Sequence, residues 1–133
     1  MPLPNTTGSN NTLVGSSSGN AISSASHNTL VGAFTGSAVS TGGSNTLVGV
    51  LAGNAVNTGS SNSVFGYNSA AALTSGVNNT IMGASSGNAM TNAFGNIVLG
   101  SSTANSLTGS NNVILGYSLG GGNLTRGATN TIV

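Results

Sequence analysis

Very few side chains in this sequence can move a proton, hold a metal or carry a charge. His27 is the only imidazole, Arg126 is the only charged side chain, and Asp, Glu, Lys and Cys do not occur. Paired-carboxylate hydrolysis needs two carboxylates, and a Ser–His–acid relay lacks its acid. A metal centre needs clustered His, Cys, Asp or Glu, and one His is no cluster. Nucleic-acid binding draws its affinity from phosphate neutralisation by Lys and Arg, which a single Arg does not supply. The composition therefore points away from catalysis, cofactors, metals and nucleic acid. What remains is neutral chemistry: amides that donate and accept hydrogen bonds, hydroxyls, and a few aromatic rings.

The amides are spaced with a period. Asn-Thr-Leu-Val-Gly begins at Asn11 and returns at Asn28 and Asn45, followed by Asn62-Ser-Val-Phe-Gly, Asn79-Thr-Ile-Met-Gly, Asn96-Ile-Val-Leu-Gly, Asn112-Val-Ile-Leu-Gly and Asn130-Thr-Ile-Val. Successive Asn spacings are 17, 17, 17, 17, 17, 16 and 18, so a one-residue deletion is followed by a one-residue insertion. Gly19-Asn-Ala-Ile22, Gly36-Ser-Ala-Val39, Gly53-Asn-Ala-Val56 and Gly87-Asn-Ala-Met90 repeat at the same interval, and Leu73, Leu107 and Leu124 extend their last position.

Such a period is the mark of a stacked repeat. Helix is excluded because the apolar positions do not recur at three and four, and each interior Gly costs a helix about 1 kcal/mol. A hairpin meander is the local alternative, but like residues at a fixed interval favour stacking of one coil on the next. The expected fold is all-β: a parallel β-solenoid (β-roll) of about seven 17-residue coils, with two short strands per coil joined by Gly/Asn turns. Residues 1–10 form a lead-in and 11–133 the repetitive solenoid domain. With a rise of about 4.8 Å per coil, seven coils make a rod of roughly 30–35 Å.

Strand alternation places Leu13 on one face and Thr12 and Val14 on the other. The Leu13, Leu30, Leu47, Val64, Ile81, Val98, Ile114, Ile132 row can pack inside against Ile22, Val39, Val56, Leu73, Met90, Leu107 and Leu124. The Val14, Val31, Val48, Phe65, Met82, Leu99, Leu115, Val133 row then faces outward and calls for a second partner. An apolar stripe of roughly 300–400 Å² is near the upper end of what a monomer exposes. Self-association, by a parallel homotrimer with this row at the three-fold axis or by lateral or axial packing, is the expected remedy.

Asn11, Asn28, Asn45, Asn62, Asn79, Asn96, Asn112 and Asn130 are read as a structural amide ladder. Phe34, Tyr67 and Tyr117, near coil corners, are the candidates for contact with the rings of a neutral cell-surface glycan, the alternative being corner packing against a neighbouring coil; Phe94 belongs to the same group. Thr12, Thr29, Thr46 and Thr80 form a regular threonine column that suggests an ice-binding face, interrupted as a rank of Thr by Ser63, Ile97 and Val113. Gly120-Gly121-Gly122 lacks the Lys of a phosphate loop, and the N-glycosylation pattern at Asn5, Asn10, Asn78 and Asn123 is what chance supplies in such a sequence. His27 and Arg126 are expected in solvated turns.

The units Asn-Thr-Leu-Val-Gly-x-x-x-Gly-Asn-Ala-x-x-Thr-Gly-Ser-Asn resemble the repeats of phage tail-fibre shafts and the head repeats of trimeric autotransporter adhesins, over nearly the whole chain from Asn5 to Val133. The resemblance implies a parallel trimeric β-roll outside the cell or on a virion; the near-total lack of charge departs from these families. No apolar run reaches the ~18–20 residues of a membrane span, so no membrane insertion is expected. Met1 to Thr7 lack the basic start and apolar stretch of a secretory signal, which leaves a trimmed segment or a signal-independent route outward. The expected role is a structural or adhesive segment of an extracellular or virion fibre. The alternatives are a self-polymerising filament stacked head to tail through open strand edges, and an ice-binding or surface-active solenoid.

Overall fold

In a computed structural model of the chain, residues 7–119 and 128–133 are described. They form one eight-stranded sheet in strict sequence order, every strand parallel to its neighbours. The strands are β1 (Thr12–Val14), β2 (Thr29–Val31), β3 (Thr46–Val48), β4 (Ser63–Phe65), β5 (Thr80–Met82), β6 (Ile97–Leu99), β7 (Val113–Leu115) and β8 (Thr131–Ile132). Each is the middle of one Asn-led unit. Register is one repeat per step: Leu13 pairs with Leu30, Leu30 with Leu47, and Leu47 with Val64. The expected parallel β-solenoid of about seven coils, spaced by about 17 residues, is the observed fold.

The direction of the three-residue strand sets the core. Leu30, Leu47, Val64, Ile81, Val98 and Ile114 are completely buried, and so are Val39, Val56, Leu73, Met90 and Leu107 across the coil. Leu13 and Ile132 pack against this core from the first and last strands. With one large apolar residue from each side per coil, the coil closes around a single layer of side chains.

One expectation needs correction: among the described residues each coil holds one strand, not two. The segment opposite the strand is a tight turn. Val39 N–H donates to Gly36 O (3.0 Å), and the same three-residue closure recurs at Val56 to Gly53 and Leu73 to Ala70. A chain that bends back on itself within three residues cannot also be extended. Stacking there runs through converging amides instead. The N–H groups of Ser40, Thr41 and Gly42 all donate to Asn57 O, and those of Asn57, Thr58 and Gly59 all donate to Thr74 O.

The strand leaves the sheet through a glycine. Gly49 has φ 133°, and a Cβ built on it would lie 2.5 Å from Gly66 O in the next coil. No side chain fits where glycine backbones stack this closely. The residue before each ladder Asn is left-handed even where it is not Gly: Ser44 has φ 59° and Ser61 φ 58°. Such a conformation costs an L-residue about 1–2 kcal/mol. Here it is held by stacking, since Ser44 N–H donates to Ser26 O and Ser61 N–H to Gly43 O, each at 3.0 Å.

Candidate functional site

The repeated Asn opens each strand and turns its side chain inward. From Asn28 to Asn112 these residues are 0–1% exposed, so each amide must find every partner inside the coil. Asn45 does so. Its Nδ2 donates to Asn28 Oδ1 (3.1 Å) and Gly59 O (2.8 Å), and its Oδ1 accepts from the Asn62 N–H (3.0 Å) and Asn62 Nδ2 (3.1 Å). Two donors and two acceptor sites are the whole capacity of the group. The coil-to-coil link repeats without a break from Asn11 to Asn130, passing through the short 16-residue coil at 2.9 and 3.1 Å. All eight residues expected in the ladder are in it.

A second internal row escaped the sequence reading. Ser18, Thr35, Ser69, Ser86 and Thr103 are buried just past the glycine corner. Thr35 Oγ1 donates to Gly49 O at 2.5 Å, and Ser86 and Thr103 donate likewise to Gly100 O and Gly116 O. Ser69 Oγ is buried with no partner, and Ala52 takes the corresponding place in its own coil. The signal was present in the recurring Ser/Thr before Gly or Ala: Ser18-Gly19, Thr35-Gly36, Ser69-Ala70, Ser86-Gly87 and Thr103-Ala104.

The outward face of the sheet carries two rows side by side. One is Thr12, Thr29, Thr46, Ser63, Thr80, Ile97 and Val113; the other is Val14, Val31, Val48, Phe65, Met82, Leu99 and Leu115. The second row is the apolar stripe expected to face away from the core: Val14 is 54% and Met82 45% exposed, while the others are half-buried.

The aromatic candidates are on the surface but not in one place. Tyr67 and Tyr117 occupy the same row, directly after the glycine corner, three coils and therefore about 14 Å apart. Phe34 sits one position further round its own coil, at φ 56°. Phe94, on the opposite edge of the sheet, pairs with Val77 through an isolated parallel bridge. All four rings are about half exposed or more. They can stack singly on a planar apolar ligand face, but they do not form a common cleft.

His27 is exposed in a left-handed turn, its Nε2 3.2 Å from Asn10 Nδ2. Asn10 and Asn78 are likewise exposed in left-handed turns. Among the described residues no group of three His, Cys, Asp or Glu could hold a metal, and no helix is long and apolar enough to cross a membrane. Arg126, Asn5, Asn123, Leu124 and the run Gly120-Gly121-Gly122 lie outside the described residues. No protein-family model, curated protein or solved structure matches this chain.

Proposed function

We propose that this chain is a rigid, uncharged, non-catalytic segment of an extracellular or virion fibre, a spacer that also offers a neutral adhesive surface. The observation that carries this reading is the unbroken amide ladder from Asn11 to Asn130. The buried amides are spent on joining each coil to the next, so the internal polar chemistry serves shape. The resemblance of the units to fibre-shaft and adhesin-head repeats supports the same role. Adhesion falls to the exposed rings of Phe34, Tyr67 and Tyr117, which present apolar faces suited to neutral sugars.

Rigidity is measurable because the chain has no cysteine to compete for a label. Spin labels at Ser16→Cys and Ser101→Cys sit in one row, five coils apart, at an expected backbone separation of about 24 Å. A narrow distance distribution, unchanged by salt, is the expected result. A broad distribution rejects the spacer role. Binding of the whole chain to an array of neutral glycans, weakened by Tyr67→Ala, tests adhesion, and a blank array removes that part of the reading.

A further inference from the structure

Two groups of hydroxyls in this fold are bonded within the protein. Those of Thr35, Ser86 and Thr103 bond inside the coil. Those of Ser23, Ser40, Thr74 and Ser75 bond from coil to coil at the far corner. Exposed hydroxyls such as Ser24, Thr41 and Thr58 are unbonded, and the outward row Thr12, Thr29, Thr46, Ser63, Thr80 is the longest such run on the sheet face. It holds five hydroxyls in five consecutive coils, in register, and none of them bonds to another described residue. Beside them stand the apolar side chains of Val14, Val31, Val48, Phe65 and Met82.

The geometry points to a binding face for an ordered water lattice, the surface of ice, along Thr12, Thr29, Thr46, Ser63 and Thr80. The argument is one of spacing. With O–H···O bonds of about 2.75 Å at tetrahedral angles, oxygens two bonds apart in a water network lie about 4.5 Å from each other. The hydroxyl row advances by the strand spacing, about 4.8 Å. The mismatch is about 0.3 Å per coil, so four steps accumulate about 1 Å, well under one hydrogen-bond length. A ligand of that period meets every hydroxyl of the row at once. The apolar row favours the same ligand, because hydrocarbon groups shed loosely held water without competing for its hydrogen bonds. No charged side chain occurs among the described residues to impose a different water structure. The row ends where Ile97 and Val113 replace the hydroxyl, which confines the site to the first five coils. A second copy packed on this face is the other conceivable occupant. It would bury five hydroxyls at about 1–3 kcal/mol for each left without a partner.

The test uses the whole chain in dilute buffer, with thermal hysteresis and inhibition of ice recrystallisation as readouts and solution mass measured in parallel. Faceted ice growth and recrystallisation inhibition are expected from the native sequence at monomer mass. Thr46→Val, which removes one hydroxyl and keeps the shape, is expected to lower the activity several-fold, and Thr46→Tyr to abolish it. Ser24→Tyr, at the exposed far corner, is expected to leave it unchanged. Circular dichroism confirms that each variant retains the fold. Buffer-level activity of the native chain overturns the proposal. So does an equal loss from Ser24→Tyr, or a multi-copy particle that Thr46→Tyr disperses.

Discussion

Asn45 Oδ1 accepts two hydrogen bonds from Asn62, one from its main-chain N–H at 3.0 Å and one from its Nδ2 at 3.1 Å. One oxygen thus fixes both the backbone and the side chain of the residue one coil ahead. Because Asn62 does the same for Asn79, the position of each strand is handed on to the next.

Asn45→Ala strands the Asn62 N–H, one of the two Asn62 Nδ2 protons and Gly59 O, in a place with no solvent access. At about 1–3 kcal/mol per orphaned buried group, the expected loss is about 3 kcal/mol or more, read from the urea midpoint. Asn45→Asp keeps the acceptor oxygen but sets a carboxylate against Asn28 Oδ1 and Gly59 O; Gly59 O then receives no proton, and Asn28 Oδ1 keeps only the main-chain N–H of residue 45. It is expected to be at least as damaging at neutral pH. Asn130→Ala, at the head of the last strand and only half-buried, with no coil beyond it among the described residues, is expected to cost about 1 kcal/mol.

Gly49→Ala combines a left-handed φ of 133° with a Cβ placed 2.5 Å from Gly66 O. The dihedral alone costs about 1–2 kcal/mol, and relieving the clash requires two backbones to separate where they are bonded. The expected loss exceeds about 2 kcal/mol in equilibrium unfolding, larger than for an alanine at exposed Ser16.

The chain has no carboxylate side chain, so no two of its side chains can form an ion pair. Acid denaturation works largely by protonating carboxylates that are paired in the native state, and salt weakens attraction between exposed charges. Neither lever finds a side-chain carboxylate here. The thermal midpoint is expected to stay nearly constant between low salt and about 0.5 M NaCl, where screening of any exposed pair would be well advanced. A midpoint that falls steeply with sodium chloride would contradict the charge-free account of stability.

Coil closure is weakest where the sequence skips a residue. Leu107 to Asn112 is one residue shorter than Met90 to Asn96 or Leu73 to Asn79. The converging amides of Ser40–Gly42 and Asn57–Gly59 each have a carbonyl ahead of them, but the Thr91 N–H turns back to Ala89 O and the Asn92 and Ala93 N–H groups have no acceptor among the described residues. Native-state hydrogen exchange is expected to be faster at Asn92 and Ala93 than at Thr41 and Gly42. Equal protection would show that the short coil closes like the others.

The sequence made the stacking legible because a 17-residue interval admits few structures that place like on like. The ladder Asn residues, the buried Leu30 and Val39 rows and the outward Val14 row follow from period and alternation alone. The second strand did not materialise, because a lone apolar residue such as Val39 reads the same in a strand and in a turn closed on Gly36. The inner Ser/Thr row was passed over because hydroxyls are common throughout, and only the structure separates Thr35, which is spent on Gly49 O, from Thr29, which is not. Left-handed Ser44 and Ser61 were equally hidden. Their conformation is imposed by the coil beneath and not by their own preference.

The shortened turn between Leu107 and Asn112 leaves Asn96 bonded to Asn112 and Ile97 in register with Val113. Each coil answers only to the two it touches, as in other quasi-one-dimensional folds, so a local slip is absorbed where it occurs. A gene encoding such a molecule can gain or lose a whole unit in frame and still specify a sound product, longer or shorter by about 4.8 Å. Overall reach is thereby open to selection as a graduated quantity, set by copy number and not by redesign.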